Sequence, residues 1–282
     1  MIISNALNFA QKELKKENIK SNIIDSEVLL SYILKKERSY LLINQDSYAI
    51  SKSQLNKFKD LIEQRKEKKP VSQIIGKKYF WKYSFYVNKF VLTPRPETEH
   101  LIELSLKNMK NFKKNNILDI GTGSGCIIIS LLKETKSSSG VAIDICKEAL
   151  NVAKYNAKMH HIQNRIKFFK SSVDKFLFGT YDLIVSNPPY INKLKLKCLE
   201  EDVKNYDPKI SLNGGKEGLE IIKSVIFCAK KLCKYNGKLI LEIDPIQKKR
   251  VINILKKNGF NNCKVFKDYS QKERFIIGTK TN

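Results

Sequence analysis

Two segments of the chain carry residues whose types and spacing can do chemistry on a nucleotide-like ligand. In Asp119-Ile120-Gly121-Thr122-Gly123-Ser124-Gly125, glycines recur at every second position. Set between a strand and a helix, they let the backbone approach a ligand whose anionic group meets the free N–H groups of the helix start. The spacing is G-x-G-x-G, with the third glycine one position early for the dinucleotide fingerprint. About 20 residues on, Ala142-Ile143-Asp144 places a carboxylate where an acidic residue accepts hydrogens from ribose hydroxyls. Taken alone, Asp144 also fits a cap on the helix starting near Lys147. Loop and acid together indicate an adenosine-type ligand.

A third segment, Asn187-Pro188-Pro189-Tyr190, follows the apolar run 181–186 and so falls at the same sheet edge, where open α/β sheets bind ligands. Its prolines fix φ and remove two backbone donors. The groups left are acceptors, the Asn187 side-chain oxygen and the Pro188 carbonyl, and two acceptors suit an NH₂ group. Tyr190 is placed to lie over a planar amide or base. A plain turn needs only Asn-Pro, so the four residues at this topological place are specific.

Other chemistries find little support. The six cysteines (Cys126, Cys146, Cys198, Cys228, Cys233, Cys263) form no C-x-x-C pair, and His100, His160 and His161 have no metal-ligand spacing. No metal is expected, the thiols read as buried and reduced, and His160 and His161 read as solvated at a helix end. A formal charge of +25 invites a nucleic-acid reading. Yet only 6 of the 53 basic residues are arginine, and the lysines lack the clustering and aromatic interleaving of a nucleic-acid groove. No run approaches the roughly 18 apolar residues of a membrane helix, and the N-terminus turns amphipathic too early for a secretory signal, so the expected location is the cytoplasm.

The elements that must position these residues follow from periodicity. The first seventy residues read as helices only. Ala6, Leu7, Phe9, Ala10 and Leu14 keep helical spacing, Asp25 is expected to cap a second helix, and Ser51 a third carrying Leu55, Phe58, Leu61 and Ile62. Pro70 ends this bundle. The aromatic stretch 79–87, broken near Lys82, alternates like a β-hairpin and leads into Thr93-Pro94-Arg95-Pro96-Glu97. Thereafter strands at 116–120, 141–145, 166–169, 181–186, 238–243, 264–266 and 275–278 alternate with helices near 97–112, 124–134, 147–159, 216–234 and 246–258. That pattern predicts an α/β fold with a mostly parallel, doubly wound sheet of seven strands.

The glycine loop, the acidic second strand and Asn-Pro-Pro-Tyr resemble the class I methyltransferases that modify exocyclic or amide nitrogens. The rest of the chain resembles one branch nearly end to end, the release factor glutamine methyltransferases (PrmC/HemK family). The matching segments are Pro70-Val71-Ser72-Gln73-Ile74-Ile75-Gly76, Phe85-Tyr86-Val87-Asn88, Thr93 to Glu99, Val203, Tyr206-Asp207-Pro208, Leu212, Gly214-Gly215, Gly218-Leu219, Leu241-Glu242-Ile243 with Gln247, and Lys267-Asp268.

The resemblance implies a Rossmann-like class I methyltransferase domain over 97–282, a β-hairpin linker over 71–96 and a helical substrate-recognition domain over 1–70. It implies S-adenosyl-L-methionine as cofactor, bound by Gly121, Thr122, Gly123, Ser124, Gly125, Asp144, Val173 and Asn187. Asn187, Pro188, Pro189 and Tyr190 are expected to hold the substrate, with Asn187, Pro188 and Tyr190 catalytic. The implied substrate is the glutamine of the Gly-Gly-Gln loop of peptide chain release factors, methylated on its amide nitrogen, with direct nucleic-acid binding not required. The alternatives are an N-methyltransferase acting on DNA or RNA bases, and a non-catalytic binding protein, which the intact Asn187 to Tyr190 opposes. Two departures stand out: Ser171-Ser172-Val173 where the family commonly has an acid near the adenine, and Asp244 where it commonly has glycine. The role of Pro94 to Glu99 stays open, since Pro96 at a helix start with Glu97 and Glu99 in the first turn also reads as plain capping.

Overall fold

The computed structural model describes residues 1–109 and 114–281, in two compact units. The first comprises Met1–Lys77 together with Glu200–Tyr206. Helices Ile3–Lys16, Asn22–Leu34 and Lys52–Lys66 pack around Ile3, Leu14, Leu29, Leu30, Phe58 and Ile62. Ser51 caps the last of them in a capping box with Gln54, as Ser-x-x-Gln predicts. Asp25 is not a cap. Ser21 holds the N-cap position, and Asp25 sits inside the helix, where its carboxylate accepts from the Ser21 hydroxyl at 2.7 Å and from Arg65 Nε at 2.8 Å. A buried ion pair outweighs the local capping preference here. Arg65 also meets Asp202 at 3.0 Å, and the Tyr206 hydroxyl donates to the Glu67 carbonyl, which ties the later helix Glu201–Tyr206 into this unit. That helix and the short ones Arg38–Ile43 and Val71–Ile75 are too brief to show a period in sequence.

The second unit comprises Lys78–Leu199 and Asp207–Asn282. It opens on the hairpin β1 (Lys77–Phe80) and β2 (Tyr83–Tyr86) and holds a seven-stranded sheet. The sheet strands are β3 (Asn116–Ile120), β4 (Ser139–Asp144), β5 (Ile166–Lys170), β6 (Tyr181–Ser186), β7 (Cys233–Glu242), β8 (Phe260–Lys267) and β9 (Glu273–Lys280), in the order β5-β4-β3-β6-β7-β9-β8. All neighbours run parallel except β9 against β7 and β8. The order turns back between β3 and β6, so their carboxyl ends form the crevice of a doubly wound sheet.

Period-2 alternation sends side chains to two cores. Ile117, Leu183, Val185 and Ile240 pack with helices Glu99–Asn108 and Cys126–Glu134 on one face. Leu118, Ile184, Leu239 and Leu241 pack with helices Glu220–Leu232 and Lys248–Lys257 on the other. Helix Lys147–Met159 follows β4. The strands β7 and β8 run longer than their apolar cores predict, because Lys and Asn occupy exposed positions in them, and β9 extends past its apolar run through Glu273, Arg274, Thr279 and Lys280. The helix expected over 97–112 begins as a 3₁₀ turn, Pro96–Thr98, and continues as Glu99–Asn108; its expected end near 112 lies outside the described residues.

His160 is not solvated: its ring packs against Tyr83 and Phe85, its Nε2 lies 3.0 Å from the Ser84 carbonyl, and burial pushes its imidazole down. Of the cysteines, Cys126, Cys228 and Cys233 are buried but Cys198 is exposed, and all six are free thiols. No helix among the described residues is long and apolar enough to cross a membrane.

Candidate active site

A cleft of about 260 Å³ lies in the second unit at the carboxyl ends of β3, β4, β5 and β6. Each strand contributes one part. After β3, Gly121 and Gly123 line it in the left-handed region, at φ 74° and 53°, with open space where a Cβ would project. The loop is pinned from behind, since the Gly121 and Thr122 amides both donate to the Ile143 carbonyl, at 2.9 and 3.0 Å. Thr122, Ser124 and Gly125 turn away from the cleft. The buried Thr122 hydroxyl donates to Asp119 Oδ2 at 2.7 Å, the Ser124 carbonyl accepts from Asn156 at 2.8 Å, and a Cβ on Gly125 would press on Ile129 and Ala153. These three shape the loop instead of walling the cleft.

At the end of β4, Asp144 lines the cleft while its carboxylate accepts from the amides of Gly123 and Cys146, each at 2.9 Å. Cys146, not Asp144, is the N-cap of the following helix. Each carboxylate oxygen keeps lone pairs beyond these two bonds. Burial raises the Asp144 carboxyl above its ordinary value, opposed by its backbone partners. After β5, Ser171, Ser172 and Val173 line the cleft, and Phe90, Val91 and Leu92 line it as well. An apolar wall, an open glycine cradle and a strand-end carboxylate fit the adenosine and amino-acid parts of S-adenosylmethionine.

Asn187, Pro188 and Pro189 complete the cleft after β6, whose Ser186 hydroxyl donates to the Ile120 carbonyl at 2.7 Å. Tyr190 does not line the cleft. Its ring packs with the core under the sheet, and its hydroxyl meets Glu242 Oε1 at 3.2 Å. Fixing Pro188 and Pro189 in φ leaves the chain turning inward at Tyr190, and burial with the nearby Glu242 carboxyl raises its phenol.

Residues given no role in the sequence hold this loop. Gln247 donates from Nε2 to the carbonyls of Tyr190, at 3.0 Å, and Gly218, at 2.9 Å. Gly214 approaches so closely that a Cβ there would sit 2.7 Å from the Pro189 carbonyl oxygen and 2.8 Å from Tyr190 Cα. Arg95 pairs with Asp207 at 2.6 Å, just before the cleft-lining Pro208. The Gly214→Ala enzyme is therefore expected to fold and bind cofactor, yet turn over on the order of ten-fold more slowly. That is part of the roughly 10²-fold that a 1 Å misplacement costs, and single-turnover rates measure it.

Two buried carboxyls stand beside these segments. Asp119, fully buried on β3, is pushed by burial up to about 7 against the bond from Thr122, and its Oδ1 has no hydrogen-bond partner among the described residues. Glu242 ends β7 and accepts from the Thr98 hydroxyl at 2.7 Å as well as from Tyr190. Burial raises it, while Thr98, Tyr190 and the Arg274 charge oppose that rise.

The family profile of the Methyltransferase small domain matches residues 100–203, which hold the glycine loop, Asp144 and Asn187. A ribosomal protein L11 methylase from Lactobacillus delbrueckii subsp. bulgaricus shares the fold, with a TM-score of 0.50 and 22% identity over 70% of this chain and 84% of that one. Sheet order, crevice and profile make this a methyltransferase of the Rossmann-like class I type. The profile of the PrmC N-terminal domain matches residues 5–76. The chain is 35% identical to the release factor glutamine methyltransferase of Clostridium acetobutylicum, over 99% of each chain. It is 36% identical to that of Clostridium botulinum, over 99% of this chain and 100% of that one. The chain belongs to the release factor glutamine methyltransferase family.

Proposed function

We propose that the chain methylates the side-chain amide nitrogen of the glutamine in the Gly-Gly-Gln loop of peptide chain release factors, in the cytoplasm, with S-adenosylmethionine as cofactor. The observation that carries this reading is the acceptor set of Asn187 and Pro188 in one cleft with the open glycine loop and Asp144. When bound, the cofactor supplies an electrophilic methyl group on a sulfonium. Asp144 holds the ribose hydroxyls, Gly121 and Gly123 give the backbone room beside the amino-acid part, and Val173 contributes to the adenine wall.

An amide nitrogen is a poor nucleophile because its lone pair is delocalised into the carbonyl. The chain compensates by orienting the NH₂ group: Asn187 Oδ1 and the Pro188 carbonyl accept its two hydrogens, and both become better partners as positive charge grows on nitrogen. Tyr190 acts from below by locking the loop to Glu242. Incubation with labelled S-adenosylmethionine and release factor, DNA or RNA tests the reading. Label is expected in the release factor only, and label in nucleic acid alone would overturn it.

The first unit is assigned recognition of the release factor. The cofactor and amide groups named above all belong to the second unit, while the first exposes Ile24 (54%) and Ile43 (81%), large apolar side chains with no core to join. A chain lacking residues 1–70 is expected to keep cofactor affinity in calorimetry and to lose release-factor methylation. Full methylation by the folded truncated chain would refute this assignment.

A further inference from the structure

An asparagine amide and the same amide rotated by half a turn have nearly the same shape, so only surroundings decide which end faces the cleft. The choice matters here. Oδ1 toward the substrate presents an acceptor to its NH₂ group, whereas Nδ2 would set donors against donors.

We propose that Thr98 and Glu242 form a positioning pair that fixes the Asn187 amide with Oδ1 toward the substrate nitrogen. The inference rests on the reading of the cleft given above. Asn187 Nδ2 lies 3.1 Å from Thr98 Oγ1. A hydroxyl has one hydrogen, and that of Thr98 goes to Glu242 Oε2 at 2.7 Å, where a carboxylate can only accept. Thr98 therefore offers Asn187 lone pairs alone, and only the NH₂ end of the amide satisfies them.

The arrangement is held on each side. Glu242 Oε1 takes the Tyr190 hydroxyl, which keeps the carboxyl group from turning; burial raises that carboxyl, and the bonds from Thr98 and Tyr190 and the Arg274 charge oppose the rise. The 3₁₀ turn Pro96–Thr98 fixes Thr98, whose amide donates to the Arg95 carbonyl at 3.1 Å. Thr98 and Glu242 are 3% and 2% exposed, so water does not readily replace a lost partner. The turn left open in the sequence thus has a role beyond starting a helix: it delivers the hydroxyl that reads the amide.

The pair touches no substrate atom, so its effect must pass through Asn187. Thr98→Val removes the hydroxyl at nearly constant shape and Thr98→Ser keeps it. Thr98→Val is expected to lower kcat on release factor on the order of ten-fold, with KM for S-adenosylmethionine close to the parent's and a melting temperature a few degrees lower because Glu242 loses a buried donor, and Thr98→Ser to restore most of the rate. In an Asn187→Ala background, Thr98→Val should cost nothing further, because the group it orients is gone. If Thr98→Val does not fold, Thr98→Ala takes its place in the same cycle. A Thr98→Val enzyme as fast as the parent would overturn the pair. So would the same ten-fold loss in the Asn187→Ala background, the mark of a merely structural tie. A parent chain that transfers no methyl to release factor would overturn the functional reading and the pair with it, and the parent control separates that failure from the others.

Discussion

Replacing Asn187 with alanine is expected to slow methyl transfer by roughly 10² to 10³-fold, the usual effect of removing one preorganised group that acts on developing charge. Cofactor affinity should change little, because the glycine loop and Asp144 remain in place on β3 and β4. Among the described residues the side chain's hydrogen bond is the donation to Thr98, and the alanine variant, which gives up that bond from a half-buried position, is expected to fold. Asn187→Asp is a poorer probe, since it places a second acidic group near Glu242. Single-turnover rates with saturating release factor, beside calorimetry with S-adenosylmethionine, separate the two effects. A rate equal to the parent's would remove Asn187 from the chemistry.

The second large effect is expected at Asp144. If Asp144 holds the ribose as proposed, alanine there removes a charge-assisted bond worth on the order of 1.5 to 3 kcal/mol, and cofactor should dissociate roughly 10- to 150-fold more readily. The same carboxylate braces the Gly123 amide, so the loop loses a support at the same stroke. Asp144→Asn keeps an acceptor without the charge and should fall between alanine and parent. Unchanged affinity in the alanine variant would reduce Asp144 to a brace for the Gly123 and Cys146 amides.

Much of this was legible in the sequence because the relevant signals are local. A G-x-G-x-G turn, a strand-end acid and Asn-Pro-Pro each fall within a few residues, and the buried strand β3 announces itself as an apolar run. Direction was harder to read. Neighbouring residues of the glycine loop face different ways, so Gly121 and Gly123 line the cleft while Thr122 and Ser124 are buried behind it. Tyr190 follows two residues of fixed φ and points into the core, where sequence placed it over the substrate. Its hydroxyl finds Glu242, 52 residues away.

What stayed hidden is long-range pairing. Thr98 lies 89 residues from Asn187 and 144 from Glu242, and nothing in Pro-Glu-Thr distinguishes a hydroxyl aimed at an amide from an ordinary helix start. Asp25 shows the same limit in the first unit. Its local context favours capping, and only the fold brings Arg65, 40 residues on, within reach. Edge strands were underestimated for another reason: the exposed lysines and asparagines of β8 interrupt the apolar pattern that marks a strand.

Methylation of a glutamine amide by this cleft is tested by mass spectrometry of release factor after incubation with the enzyme and S-adenosylmethionine, run in parallel on intact release factor and on a form whose Gly-Gly-Gln glutamine is alanine. One added methyl group is expected, on the peptide that carries the glutamine and on its side-chain nitrogen, and none on the alanine form. Equal methylation of the alanine form, or a methyl group on any other residue of the intact one, would contradict it.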